Sequence, residues 1–287
     1  MRSQDKGERS KMMKKTLNRK IVISIFICLA FFYLIIIFLW GMFMNPAKYG
    51  VNYADKLVGP CKEHLFGTDA MGRDMFNRCI KGLSNSLVIG LVASVFSSVV
   101  VLIFGIASAV LGGVTDKVIK LAVDLCMGLP HLVLLILISC MLGKGSLGIT
   151  FSVALTHWPS LTRIVRQEVL QLRSSQYVKA AARMGKSPFT IAVTHMLPHV
   201  IPAYLIGLVL LFPHAIMHEA SITFLGFGLS KEVPAIGVIL SESMNYITTG
   251  KWWLAVFPGI MLLIVVILFD LIGETLKKLW NPESGNE

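Results

Sequence analysis

The chain has 287 residues, of which 55% are hydrophobic and only 15% charged. A soluble domain carries about 25% charged residues, and several apolar runs here approach the roughly 20 residues that a helix needs to cross a bilayer, so composition excludes a soluble protein and leaves no room for a separate soluble domain. The net charge of +11 lies in the gaps between apolar runs, where cations fix membrane orientation; no basic stripe alternates with exposed aromatics, which excludes nucleic-acid binding.

A basic tail over residues 1–20, with eight Lys and Arg, leads into the apolar run 21–44. That run is too long and bulky for a signal peptide, so it is read as a retained first span. Six spans are predicted in an all-α fold, at about 21–42, 84–111, 118–142, 148–167, 200–220 and 253–273. Polar or Gly-rich connections separate them: 43–83, GGVTDK, GKGSLG, a stretch through 176–199, and 221–252. No internal repeat is visible, which counts against transporters built from inverted halves. With the N-terminus inside, the inner segments hold 18 of the 27 Lys and Arg. Both termini are therefore expected in the cytoplasm. The five cysteines are Cys28, Cys61, Cys79, Cys126 and Cys140. They show no C-x-x-C spacing, and Cys61 and Cys79 share a connection in which they could pair without anything demanding it.

Pro159, after Thr156, His157 and Trp158 in the fourth span, frees a backbone carbonyl and bends the helix. Such a break is tolerated where neighbouring helices cover it, which points to a packed bundle. The stretch QYVKAAARMGKSPFTIAVTHMLPHVIP (176–202) follows. Residues 175–184 suit a short helix with Val178, Ala181 and Ala182 on one side, Gly185 is placed as its C-terminal cap, and Ser187-Pro188 reads as the start of the next helix. Phe189, Ala192, Val193, Met196 and Leu197 form an amphipathic stripe expected to pack on the bundle, and Leu197-Pro198 is expected to end that helix. Ordinary connections run about 4–6 residues, so a punctuated pair of helices on the cytoplasmic side is expected to dock a partner.

Here a resemblance becomes specific. Ala180-Ala181, Gly185 and Leu197-Pro198 are similar to the EAA loop of ABC-importer permeases, with Lys179 where that family usually has Glu and His195 where it has Ile. HLFGTDAMGRDMFNR (64–78), WPSLTRIVRQEVLQLRSSQYV (158–178), EASITFLGFGL (219–229), WWLAVFPG (252–259) and GETLKKLWNP (273–282) resemble, in order, segments of the dipeptide, oligopeptide and nickel permeases of C type. Ile236 replaces a common Trp and Ser84 a common Arg. The resemblance implies a cytoplasmic tail (1–20), a first helix with an outer segment (21–83), a permease domain (84–280) with a coupling loop at 175–198, and a cytoplasmic tail (281–287). It implies that Lys179, Ala180, Ala181, Arg183, Gly185, Lys186, Ser187 and Pro198 meet an ATPase. No G-x-x-x-x-G-K-[ST] occurs, so the chain is expected not to be an enzyme and to hold no cofactor of its own; ATP and Mg would sit on partner chains. The implied partners are a second, similar permease, two ATPase subunits, an extracytoplasmic substrate-binding protein and the lipid bilayer, in the cytoplasmic membrane of a bacterium or archaeon.

Ionisable residues inside spans are costly and point to function. Asp124, His131, His214, His218, Glu219 and Asp270 are the candidates, and Asp124 also fits a helix-packing role. His214 and His218 are four apart and share a helix face, so with His131 and Glu219 they are the expected path residues. Imidazole suits nickel, zinc or copper, yet two ligands fall short of a stable site, and bonding of these histidines to neighbouring helices is the first reading. The expected substrate is nickel, a nickel or other metal chelate, or di- and oligopeptides. The alternatives are an ATP-independent secondary transporter or channel, and an intramembrane metallohydrolase, for which H-x-x-x-H-E has neither known order.

Overall fold

The computed structural model describes residues 24–280; the predicted tails, 1–20 and 281–287, lie outside the described residues. Every regular element among these is helical. Helix α1 (Ser24–Met42) is followed by a segment with two 3-10 turns, and α2 (Met75–Leu111) begins where the Asp74 carboxylate accepts the Asn77 N–H at 2.9 Å, an N-cap that satisfies an otherwise unpaired donor. Helix α3 (Gly113–Gly128) and α4 (His131–Met141) come next, then α5 (Ser146–Arg173), α6 (Gln176–Arg183), α7 (Pro188–Ile191), a π turn (Ala192–Met196), α8 (Leu197–Phe224), α9 (Ile236–Ile247) and α10 (Trp253–Trp280).

Among the described residues, four helical stretches are long and apolar enough to cross a membrane, or five if the bent pair α3–α4 counts as one. The predicted third span, 118–142, is therefore not straight: its two halves meet at 100°. Pro130 has no N–H and pushes the residue before it out of the helical region, and Leu129 is extended at φ −94° and ψ 145°. The predicted fourth span falls on α5, which is not apolar enough to pass. One side of α5 is packed in protein, where Ile149, Val153, Val165 and Val169 are fully buried beside the polar Ser152, Thr156, His157 and Thr162, while Leu147, Phe151, Leu155 and Ile164 stay exposed on the other. A Cβ on Gly207 would lie 2.2 Å from Leu161 Cδ1, and one on Gly105 2.6 Å from Val165 Cγ1. Small residues at these crossings let α8 and α2 close on α5.

Three apolar clusters hold the bundle. One joins α1, the start of α2, α9 and α10. A second joins the end of α2 to α3, α5, α6 and the start of α8. The third lies between them, on α2, α4, α5, α8 and α9. Large apolar side chains left exposed, such as Phe26, Phe32, Val92, Ile103 and Leu263, run along α1, α2 and α10 and suit a lipid environment. The segment 221–252, read from sequence as a connection only, contains α9, whose Ile236, Val238 and Ile239 are buried.

The motif at 64–78 works as a clamp. The Asp69 carboxylate accepts the backbone N–H of Met71 and of Arg73 and ion-pairs with Arg73 and Arg78, at 2.6 Å and 2.8 Å. Both arginines also reach Glu242 on α9, at 3.0 Å and 2.7 Å. Arg78 is buried, and its charge is matched on both sides, as burial of a cation requires. Cys61 and Cys79 are both free thiols, Cys79 buried on α2 and Cys61 exposed, so that optional pairing is not made.

Candidate functional site

The corner at 175–198 is built from backbone up. The N–H of Gly185 bonds to the carbonyl of Ala182 and that of Lys186 to the carbonyl of Ala181, at 3.1 Å and 3.2 Å. This pair of bonds closes α6 with a residue in the left-handed region, and Gly185 supplies it at φ +82°. The Ser187 hydroxyl then accepts the Thr190 N–H at 3.1 Å, with Pro188 in the first turn of α7. Val178 and Ala181 turn into the bundle. Lys179, Ala180, Ala182, Arg183, Gly185, Lys186, Ser187 and Pro198 are exposed. The Lys186 ammonium donates to His195 Nε2 at 3.1 Å, which ties the two sides of the corner.

Two expectations about the second helix are corrected. Leu197-Pro198 does not end it: the chain runs helical from Pro188 to Phe224, because the π turn before Pro198 carries the Leu197 N–H to the Ala192 carbonyl, and Pro198 sits where its missing donor is not needed. The extra residue in that turn also rotates the packing face. Ile191, Ala192, Met196 and Val200 are buried, whereas Phe189 is 77% exposed and Val193 44%. Met184 is 80% exposed, so the tip of the corner carries two bare apolar side chains among three cations.

Ion pairs brace the helices leading to this corner. The Arg166 guanidinium holds both oxygens of Asp116, at 2.6 Å and 2.8 Å, and the Ser108 hydroxyl donates to the same carboxylate, which joins α2, α3 and α5. Asp124 pairs with Arg163 at 3.2 Å, a link between helices.

A second constellation lies within the bundle. His131 opens α4 just after the bend, His157 stands two residues before Pro159 on α5, and His218 projects from α8; their ring centroids are 4.5–5.1 Å apart. The rings line a cavity of about 340 Å³ whose wall also includes Cys126, Met127 and His214. His157 Nδ1 lies 2.8 Å from the Val153 carbonyl. A carbonyl only accepts, so that nitrogen carries the proton and Nε2 keeps its lone pair. The Nε2 atoms of His131 and His157 are buried and lack a hydrogen-bond partner.

The structure thus brings His131, His214 and His218 to one cavity. The predicted metal pair is not what meets: His218 converges with His131 and His157, while His214 stays at the exposed edge. Glu219 is absent from the cavity. One residue beyond His218, it lies about 100° round the helix, fully buried, and its carboxylate accepts from the Thr223 hydroxyl at 3.0 Å. In the sequence His157 is marked only by Pro159, two residues on. The available signal was an imidazole in a buried, proline-broken helix.

The family model described as binding-protein-dependent transport system inner membrane component matches residues 100–281. The chain is 29% identical over 267 residues to the dipeptide transport system permease protein DppC of Bacillus subtilis, covering 93% of this chain and 82% of the relative. It is 32% identical over 224 residues to the oligopeptide transport system permease protein OppC of the same organism, covering 78% and 73%. It is 35% identical over 223 residues to a putative peptide transport system permease protein of Brucella suis, covering 78% and 75%. Among solved structures, an inward-facing form of the MetNI methionine ABC transporter matches with a TM-score of 0.57 at 17% identity, over 72% of this chain and 98% of that one, a likeness of fold alone.

Proposed function

The chain belongs to the family of binding-protein-dependent transport system inner membrane components, and from that premise we propose that it forms half of a path by which dipeptides or oligopeptides are imported. The peptide assignment rests on the names of its relatives, which lend nickel no support. Membership of this family of ABC-importer permeases sets aside the ATP-independent transporter or channel and the metallohydrolase. On this reading a second, similar permease completes the path, two ATPase subunits bind ATP and Mg, and an extracytoplasmic protein delivers the peptide. The chain crosses the cytoplasmic membrane of a bacterium or archaeon six times, with α5 as the fourth crossing and both termini inside.

The observation that carries the mechanism is the corner at Gly185. Its inner side, with Val178, Ala181, Ile191 and Met196, is packed into the same cluster as α3, α5 and α8. Its outer side offers Met184 and Phe189, ringed by Lys179, Arg183 and Lys186. An element seated on the bundle and bare on the far side suits a part pulled by another protein, since packed helices move as bodies. The test is uptake of a labelled dipeptide by proteoliposomes holding the assembled complex with its binding protein. ATP-dependent uptake is expected, with loss of uptake in Gly185→Pro while the chain remains in the membrane. Undiminished uptake by Gly185→Pro would refute the coupling role.

A further inference from the structure

We propose that His131, His157 and His218 form a three-imidazole site for a divalent transition cation of the zinc, nickel, cobalt and copper class, in the wall of the cavity between α4, α5 and α8. The inference rests on reading that cavity as part of the path, and deepens it by assigning an ion site to its wall.

One donor atom from each ring lies within 4.8 Å of the others. Nitrogens bound at about 2.0–2.1 Å to a tetrahedral ion stand about 3.4 Å apart, so each ring needs to move inward by about 1 Å or less. The arrangement also fixes protons. Val153 holds the proton of His157 on Nδ1 and leaves Nε2 free as a ligand, the arrangement in which a backbone carbonyl orients a metal-binding imidazole. Histidines that served packing alone would spend their buried nitrogens on hydrogen bonds, as buried polar groups do. Here His131 Nε2 and His157 Nε2 have no such partner, on two rings whose centroids lie 4.9 Å apart.

The donor set narrows the ion. Among the described residues the cavity lining contains no carboxylate; beside the imidazoles it offers the soft sulfurs of Cys126 and Met127 and two neutral hydroxyls, of Thr156 and Ser160. Calcium and magnesium want oxygen ligands, whereas neutral imidazoles suit the later divalent metals. Three protein ligands leave a coordination position open, as in exchangeable sites rather than closed structural ones. That position can take water, or the amine or amide nitrogen of a short peptide carrying the ion as a chelate. His214, at the exposed edge of the same cavity, offers one more imidazole on the way in or out.

The experiment uses the full chain in its assembled, chelator-stripped complex, titrated with cobalt(II) while the absorption bands of four-coordinate cobalt are followed. One arm adds cobalt alone and the other adds it as a dipeptide chelate. Saturation at one cobalt per chain is expected, with affinity at least about 10–100-fold weaker in His131→Gln and in His218→Gln, by analogy with losses seen at metal-site residues. The exposed His199→Gln should bind as the wild type does. Binding in the first arm identifies the free ion as ligand and binding only in the second identifies the chelate; either supports the site. Absence of the bands in both arms, or equal affinity in the His131→Gln and His218→Gln variants, overturns it. Because His157 is buried, the two less buried positions carry the test, and retained ATPase subunits show that the variants are assembled. A complex that couples ATP to peptide uptake yet binds no cobalt rejects the metal site and keeps the importer; a cobalt-binding chain that recruits no ATPase does the reverse.

Discussion

Replacing Met184 and Phe189 together by serine tests whether the tip of the corner is a docking surface. Both side chains are bare, at 80% and 77% exposure, so the chain by itself should lose no more than about 0.5 kcal/mol of stability, as for ordinary surface substitutions. Burial of a Met or Phe against a partner contributes about 1.5–3 kcal/mol each. Scaled by the exposed fraction, the pair would contribute about 2–5 kcal/mol to docking, equivalent to about 30- to 4,000-fold in affinity. The assay measures binding of the ATPase subunits to the detergent-solubilised permease, alongside the thermal midpoint of the permease alone. Weakened binding at an unchanged midpoint is expected. A lowered midpoint with unchanged ATPase affinity would refute the reasoning, because it would mean that Phe189 seats on the bundle, as its position in the sequence stripe implied.

Gly185→Val forces a branched side chain into the left-handed region at φ +82°, a cost of about 1–2 kcal/mol or more; uptake should fall while the amount of chain in membranes does not, as immunoblotting would show. Arg78→Leu removes the more buried of the two cations that bridge Asp69 and Glu242 and leaves Arg73 alone to pair with both; it should lower stability by about 1–3 kcal/mol, read as a drop in the thermal midpoint of the complex. Gly237→Val places a Cβ 2.4 Å from the Ala220 carbonyl oxygen, so α8 and α9 must separate; a loss of about 1–3 kcal/mol is expected for such overpacking, and a wild-type midpoint would refute the close crossing.

What could be read from sequence was local. The glycine cap and the Ser-Pro start at residues 185–188 follow from single-residue backbone chemistry, and their hydrogen bonds are those such residues make. The long apolar runs of α1, α2 and α10 needed only counting. Features that tertiary packing decides leave no such local mark. Helix α5 carries Ser152, Thr156, His157 and Thr162 on the side that protein covers, and no window of its own sequence states which side that is. The face of Phe189 depends on a π turn whose extra residue leaves no mark in a 3.6-residue pattern. His131, His157 and His218 meet because the bend at Pro130 and the crossing at Gly207 bring α4, α5 and α8 together; in the chain His157 lies 26 positions after His131 and His218 lies 61 after His157.

The corner and the histidine cavity share two helices. Helix α5 runs from His157 to Arg173 before the corner, a distance of about 24 Å at 1.5 Å per residue, and α8 runs from the far side of the corner to His214 and His218. Displacement of the corner is therefore passed along rigid rods until something yields. Along α5 the backbone ladder is interrupted at Pro159, and along α8 at Pro202 and Pro213, each of which lacks a donor for the preceding turn. Two of those weak points, Pro159 and Pro213, line or adjoin the cavity. Bending concentrates where hydrogen bonds are missing, so on the importer reading a pull at Gly185 is converted into a change of cavity shape at the place where the three imidazoles converge, rather than being spread along the bundle.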